Sequence, residues 1–573
     1  MVSCATGSKC TSINSVVSTF PIHEERHNDS SFGNEDNLHQ TKRITQSYNG
    51  LILKDSHAEV LARRGLMAVL WDEIKMALQN STITQKCDDA VHPSQNLLDV
   101  TSERNKLGLL QFRLKSDLSL HMYISDSPCG DATIYEIKKL KEIEHKDDVR
   151  PTSRCCDSTS DAPEFETEIN FTGAKIILSG NEGALCTLPT MFNQGNLSSS
   201  LSSVITFTNK HTTESSSTNQ STSSITVGRE HIQQLGALRL KSSRSNIPAH
   251  LRSTSMSCAD KLVRWGFFGL QGSVLMAFIP DPICLSSVCV SKDPRSVDGD
   301  GAGQLAALDR ALRKRIECVL EWLQQNGRCL SVKPPVVAIV DGIFEDSKSE
   351  SEHRYMMAQY NSRKRNACVG ELPISNKKAK LCNADQQLLP LEVNPSQDDK
   401  TNIQQTNTCH TPCKIQRAKK DSPSGMSINW HRQQLHNTDA NMKKNETEIT
   451  IGATGLKRGK KPKREEDVIK SASRLCRYSF IRRWKRCFKL SIQHSDHCSK
   501  ITANVLPQSR LIKEMSSTTL SYLQIKQKIV DTGVTSNLDD VFSKSGRFQG
   551  PLNGWVRSGV DGDFTAVTDG LER

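Results

Sequence analysis

Three short phrases hold the residue types that could do chemistry: Ser56-His57-Ala58-Glu59, Ser127-Pro128-Cys129-Gly130 and Ser257-Cys258-Ala259-Asp260-Lys261. Together they supply one imidazole, two thiolates and, two residues after the imidazole, a carboxylate. A tetrahedral catalytic zinc takes three protein ligands and keeps a fourth position for water, while a nearby carboxylate outside the ligand set moves the proton. The candidate ligands are His57, Cys129 and Cys258, and the candidate proton shuttle is Glu59. Structural zinc is usually closed by four protein ligands; only three stand out, so the count favours hydrolysis by activated water. Each residue also has a plainer reading. Ser56 and Glu59 have the spacing of a helix capping box, and a lone His or Cys is commonly buried structure. The conjunction of all four in order, with Pro128 before the second ligand, outweighs those readings.

All three phrases fall where elements begin. After Ser56, the residues Val60, Leu61, Leu66, Val69, Leu70 and Ile74 recur at helical spacing and carry a helix to about Leu78. Residues 118–124 alternate at period two and run into Ser-Pro-Cys-Gly, a strand leading to a helix start. Residues 261–270 are compatible with a helix opened by the third phrase. A helix N-terminus offers unpaired N–H groups and partial positive charge, which favours the thiolate that zinc requires at Cys129 and Cys258. His57 and Glu59, two apart in a first turn, allow the carboxylate to reach metal-bound water without displacing it. Further on, 273–279 and 283–290 are short β-prone runs. Residues 304–325 form one long amphipathic helix stopped by Asn326-Gly327, and 335–340 form an apolar strand. The alternation of helices and strands favours an α/β layer fold.

With 573 residues of which 36% are hydrophobic and 5% aromatic, the chain cannot pack throughout. Residues 11–48 read as a long polar loop, and 187–227 and 361–425 as disordered insertions. A net charge of +12 points to a polyanionic partner. The basic runs Arg363-Lys364-Arg365 and 457–464 fit nuclear import signals, a phosphate-backbone patch or a solvated loop. The 19 cysteines are irregularly spaced and no apolar leader opens the chain, which implies a reducing intracellular location, nucleus or cytoplasm. Cys155-Cys156 and the pair Cys409 and Cys413 lack a matching second half and read as incidental. No apolar run is long enough to span a bilayer, so membrane roles are set aside.

His-x-Glu followed by Pro-Cys-x-x-Cys is the nucleobase deaminase pattern, but Ala132 stands where that pattern has its second thiolate. Cys258 must supply it. With that split arrangement, His57-Ala58-Glu59-Val60-Leu61-Ala62-Arg63-Arg64, Pro128-Cys129-Gly130 and Ser257-Cys258-Ala259-Asp260-Lys261-Leu262-Val263-Arg264-Trp265, continuing Gly269-Leu270-Gln271-Gly272-Ser273, closely resemble the deaminase domain of the RNA-editing adenosine deaminases. Ser427-Ile428-Asn429-Trp430, Ala453-Thr454-Gly455 and Ser473-Arg474-Leu475-Cys476-Arg477 with Arg483-Trp484 resemble its C-terminal half.

The resemblance implies an α/β fold: a cytidine deaminase-like three-layer α/β/α zinc core with a C-terminal helical region enclosing an inositol polyphosphate. It implies a partial N-terminal edge and polar loop over 1–50, then one deaminase domain over 51–573 interrupted by the two insertions. It also implies that His57, Cys129 and Cys258 bind Zn2+, that Glu59 shuttles the proton, and that water attacks C6 of a flipped-out adenine. Members that edit double-stranded RNA carry RNA-binding domains upstream, for which the residues before His57 leave no room. Val2-Ser3-Cys4-Ala5-Thr6-Gly7-Ser8-Lys9-Cys10 and Thr172-Gly173-Ala174-Lys175 instead resemble the tRNA-acting branch. The implied partner is tRNA, with the adenosine just 3′ of the anticodon of alanine tRNA as target. A deaminase of structured mRNA and an inactive RNA-binding member are the rivals.

Arg63 and Arg64 follow His57 among apolar neighbours. A buried unpaired cation is costly, so either these side chains snorkel to solvent, which the residues alone favour, or an anion lies inside. The resemblance implies the anion, inositol hexakisphosphate, held by Arg63, Arg64, Lys261, Arg264, Ser273, Arg477 and Trp555. Asp55 and Lys175 would link it to the zinc site. Asp563, Lys513, Thr519 or Tyr522, and Lys526 also line up with the family's phosphate contacts. The chain departs from the family at Phe171, Arg557 and Ser558, and it lacks the family's helix and strand ahead of Val2, so an edge of the fold is expected to be absent.

Overall fold

A computed structural model describes residues 1–11, 50–83, 96–105, 107–140, 165–170, 174–176, 178–179, 184–185, 235–241, 255–325, 332–342, 344–369, 424–432, 447–459, 462, 465–499, 515 and 520–531. The chain forms two compact units. The first comprises Met1–Lys139, Glu166–Glu350 and Ser422–Arg573; the second comprises Leu140–Phe165 and Ser351–Asp421. The described helices are α1 (Ala58–Ile83), α2 (Cys258–Phe268), α3 (Gly272–Leu275), α4 (Ala302–Ala311), α5 (Arg313–Gln325), α6 (Lys348–Val369), α7 (Glu465–Ser471), α8 (Arg477–Ser499) and α9 (Tyr522–Asp531). With the strands below, they make a mixed α/β fold. Among the described residues, no helix is long and apolar enough to cross a membrane.

Helix α1 lies at the centre of the first unit. Leu61, Ala68, Val69, Leu70, Trp71 and Ile74 are all buried, and their positions run round much of the helix rather than along one stripe. A helix apolar on several sides must be packed on several sides. It meets α8 and three strands: β1 (Ser3–Ala5), β2 (Leu98–Arg104) and β13 (Met426–His431). β1 and β13 pair antiparallel in a sheet of order β1-β13-β14-β15, where β14 is Glu448–Ile451 and β15 is Leu456–Lys457.

Three parallel strands aim the chain at the site. Strands β4 (His121–Ile124), β11 (Ser287–Ser291) and β12 (Val336–Val340) stand in the order β12-β11-β4. Parallel neighbours need long crossovers. The segment from β4 to β11 contains Cys129 and α2, and the segment from β11 to β12 contains α4 and α5. Smaller pairs complete the described sheets: β2 with β3 (Leu110–Leu114), β5 (Glu136–Leu140) with β6 (Phe165–Ile169), β7 (Lys175–Ile176) with β10 (Arg239–Leu240), and β8 (Leu178–Ser179) with β9 (Ala184–Leu185).

Four local expectations are corrected. Residues 273–279 are not a strand: α3 and the following turn, with Phe278 N and Ile279 N donating to Leu275 O, keep this apolar run helical. Residues 304–325 are two helices, broken at Leu312 (φ −116°, ψ −73°). Arg310 and Arg315, five apart, would point about 140° apart on one continuous helix; the break lets both reach Asp131. The start of the 361–425 tract is helical, since α6 continues to Val369. The 457–464 run starts in β15, where Arg458 N donates to Ile449 O at 2.8 Å. The polar tracts 12–49, 187–227 and 370–423 lie outside the described residues, as do Phe171, Lys513, Thr519, Trp555, Arg557, Ser558 and Asp563.

Candidate active site

The start of α1 is clasped by the N-terminal segment. Ser56 N donates to Lys9 O and Ala58 N to Gly7 O, at 2.9 and 3.0 Å. Gly7 has φ 134°, and a Cβ there would stand 2.2 Å from Ser56 O, so only glycine permits this approach. The clasp sets Cys10 beside His57, with Cys10 Sγ 3.7 Å from His57 Nδ1.

Asp55 is the hub. Its Oδ1 accepts from His57 N at 3.0 Å and lies 2.9 Å from His57 Nδ1; its Oδ2 accepts from Ser255 Oγ at 2.6 Å, Lys241 Nζ at 3.0 Å and Lys261 Nζ. Burial alone would raise the Asp55 carboxyl, but Lys241, Lys261 and His57 hold it well below the usual carboxylate range. Burial and Lys241 push the His57 imidazolium down, and hydrogen bonds to Asp55, Cys10 and Cys129 overcome them, bringing it up to about 12.

The two thiols meet where the turn that follows β4 packs on the start of α2. Cys258 N donates to Cys129 Sγ at 3.3 Å, and Ala259 N to Cys129 O at 3.1 Å. Cys129 is not at the start of its own α-helix, as the sequence implied, because only a single 3₁₀ turn (Asp131–Thr133) follows. It sits instead on the N-terminus of α2, which supplies the same dipole from another element. Its bond with Cys258, aided by Lys241 and His57, holds the Cys129 thiol well below its ordinary range despite burial. Burial, with Cys129 and Glu59 adjacent, pushes the Cys258 thiol up. Cys258 Sγ lies 2.9 Å from Lys241 Nζ and donates to Glu59 Oε2 at 3.2 Å. The capping-box reading of Glu59 fails: Ser56 Oγ is buried without a hydrogen-bond partner, and the carboxylate faces the thiols.

The donor set, one imidazole, two sulfurs and an adjacent carboxylate, suits zinc with an open position. Among the described residues, the grouping whose donor atoms all lie within 4.8 Å of one another is Cys10, Asp55 and His57. Asp55 in that grouping is already engaged by two lysines. Lys241 was not singled out by any motif. It reaches Asp55 and Cys258 because β10 pairs with β7, opposing Leu240 to Lys175. Lys175 itself lies in β7; the lysines on Asp55 are Lys241 and Lys261.

Helix α1 also presents the arginines. Arg63 stacks over the Trp265 ring, 4.9 Å from its centroid, and Arg64 Nη1 donates to Leu475 O at 2.6 Å. Arg264 lies over Phe268, while Arg477 and Lys526 both lie over Tyr522. Burial, Arg64 and Arg264 lower Arg63 to about 9; burial and Arg477 lower Arg64 to about 10. Tyr522 is lowered against its burial by Lys526, Arg477, Arg64 and Arg63. These guanidiniums are half-buried and crowd one another, with Arg63 Nε buried and unpartnered. Such a cluster suits a polyanion. Gly272 permits it: a Cβ there would stand 2.8 Å from Arg63 Nη2. Ser273 follows in α3, and Lys261 is engaged at Asp55 and Ser255.

Residues 38–355, more than half the chain, match the family described as the adenosine-deaminase (editase) domain. The chain is 27% identical over 270 residues to tRNA-specific adenosine deaminase 1 of Drosophila melanogaster, covering 47% of this chain and 44% of that one. It is also 27% identical over 347 residues to tRNA-specific adenosine deaminase 1 of Homo sapiens, covering 54% and 62%. Similarity to the double-stranded RNA-specific editase Adar of Drosophila melanogaster is 25% over 242 residues, covering 42% and 24%. The chain thus spans about half the length of the curated tRNA-acting relatives it matches.

Proposed function

Since the chain belongs to the adenosine-deaminase (editase) domain family, we propose that it converts adenosine to inosine in tRNA by hydrolysis, at the adenosine 3′ of the anticodon of alanine tRNA. The observation that carries this is the position of Glu59, buried against Cys258 Sγ and not used as a helix cap. Zinc held by His57, Cys129 and Cys258 would lower the pKa of a bound water toward neutrality. Glu59 would take the proton from such a water and pass it to the adenine and its leaving amine. The water oxygen would then replace the exocyclic amino group on C6, which would leave as ammonia and give inosine. Lys241 holds positive charge against the Cys258 sulfur, and Asp55 orients the His57 ring.

On this proposal the fold is a cytidine deaminase-like three-layer α/β/α core over 51–573. Inositol hexakisphosphate lies on Arg63, Arg64, Lys261, Arg264, Ser273, Arg477 and Trp555. Asp55, Lys241 and Lys175 belong to the bridge between polyphosphate and metal. The test is inosine formation in an alanine tRNA transcript. Turnover on long duplex RNA with none on tRNA selects the mRNA-editing alternative. tRNA binding with a full metal complement and no inosine selects an inactive RNA-binding member.

A further inference from the structure

The phrases that carry the two thiols share a Cys-x-Asp pattern, Cys129-Gly130-Asp131 and Cys258-Ala259-Asp260, and both aspartates are completely buried. Two buried guanidiniums act on both, Arg239 through its charge and Arg315 through directed contacts. Arg315 Nη1 donates to Asp260 Oδ1 at 2.5 Å, Nη2 lies 3.7 Å from Asp131 Oδ2, and Nη2 donates to Ala237 O at 3.2 Å. Arg310 holds Asp131 from a second side, Nε to Oδ2 at 3.1 Å. The remaining carboxylate oxygens accept from Gly236 N at 3.0 Å, and from Arg239 N and Ser257 Oγ at 2.9 and 2.7 Å.

Every contact of this cluster falls on one of three segments: the turn carrying Cys129, the helix start carrying Cys258, and 236–241, which ends in Lys241. A buried ion cluster is seldom the most stabilising way to fill a core, so its worth lies in the arrangement it imposes. Arg315 Nε is left buried and unpartnered, as in a side chain stretched across two carboxylates instead of satisfying its own donors. Removing Arg315 leaves Arg310 on Asp131 and Arg239 close to both carboxylates, but takes away the side chain whose two ends reach both, two residues from each thiol.

We propose that Arg315 is a positioning residue of the metal site: by pairing with Asp131 and Asp260 together it sets the separation of Cys129 and Cys258, and through it the affinity for metal. This rests on the reading of those cysteines as zinc ligands. Outer partners that orient ligands commonly govern about ten- to hundredfold in metal affinity. Lysine cannot reproduce the forked contact.

The experiment uses the full chain, stripped of metal and reloaded with cobalt or zinc. Wild type and Arg315→Lys are compared by the sulfur-to-cobalt charge-transfer band and by chelator competition for zinc, with far-UV circular dichroism as the check on folding. A folded Arg315→Lys variant is expected to bind zinc at least tenfold more weakly and to show a shifted or weakened cobalt band. Wild-type affinity and spectrum in that variant would overturn the proposal, leaving Arg315 a packing residue that moves only Tm. Should Arg315→Lys not fold, Arg310→Gln, which acts through Asp131 alone, is read the same way, and an unchanged band again refutes. Absence of a charge-transfer band in wild type refutes the ligand reading itself.

Discussion

Replacing Lys241 with Met asks whether the site is held together by charge. Lys241 is buried, its ammonium 3.0 Å from Asp55 Oδ2 and 2.9 Å from Cys258 Sγ. At an effective dielectric constant of about 20, unit charges at that separation attract by about 5 kcal/mol. Asp55 retains Lys261, Ser255 and His57 after the change, so part of its compensation survives. Breaking a buried pair costs about 3–5 kcal/mol, and the lower end, about 3 kcal/mol, is expected. The loss depends on pH. The Asp55 carboxyl is depressed in the folded state, so its stabilisation is complete above an unfolded pKa of about 3.9 and disappears as pH falls through the lower folded value. Without Lys241 the folded carboxyl rises and there is less to lose. The stability gap between wild type and Lys241→Met is therefore widest near neutrality and narrows in acid. Urea unfolding of chelator-treated protein at neutral pH and at about pH 2, below the unfolded carboxyl value, measures it. A neutral-pH gap below about 1 kcal/mol, or a gap that does not change with pH, refutes the electrostatic account.

Three other outcomes follow from the geometry. Glu59→Gln should lower inosine formation by about 10²–10⁴-fold with metal content and Tm unchanged; retained turnover sinks the proton-shuttle role. Gly130→Ala forces an L side chain to φ 118° and sets its Cβ 2.4 Å from Ser257 Oγ, so a loss of about 1–3 kcal/mol together with weaker zinc binding is expected. An unshifted melting curve would contradict it. Inositol hexakisphosphate added at about 100 Kd to protein freed of it should stabilise by about 2.7 kcal/mol, and Arg63→Met should abolish most of that gain. An equal Tm rise in both proteins would show that the anion binds elsewhere.

Residue types and local order were legible in the chain itself. The candidate ligand kit needed only composition and sequence order, α1 was announced by its apolar spacing, and the third phrase opens α2, as its residues implied; the structure adds Ser257 as the cap. The single-helix expectation for 304–325 failed because periodicity carries no record of a break made to bring two arginines onto one aspartate. The strand expectation for 273–279 failed because a short apolar run is buried equally well as a turn of helix.

What the sequence by itself determined is the chemistry on offer: His57, Glu59, Cys129 and Cys258, in that order, with arginines behind them. What only the tertiary structure decided is who activates and aligns these groups. Lys241 stands on Cys258, α2 rather than a local helix polarises Cys129, and Arg315 spans Asp131 and Asp260. The reason is range. Helix and strand periodicity arise from neighbours a few residues apart, whereas charges buried side by side come from segments brought together by parallel crossovers, and no local pattern encodes which lysine will face which thiol.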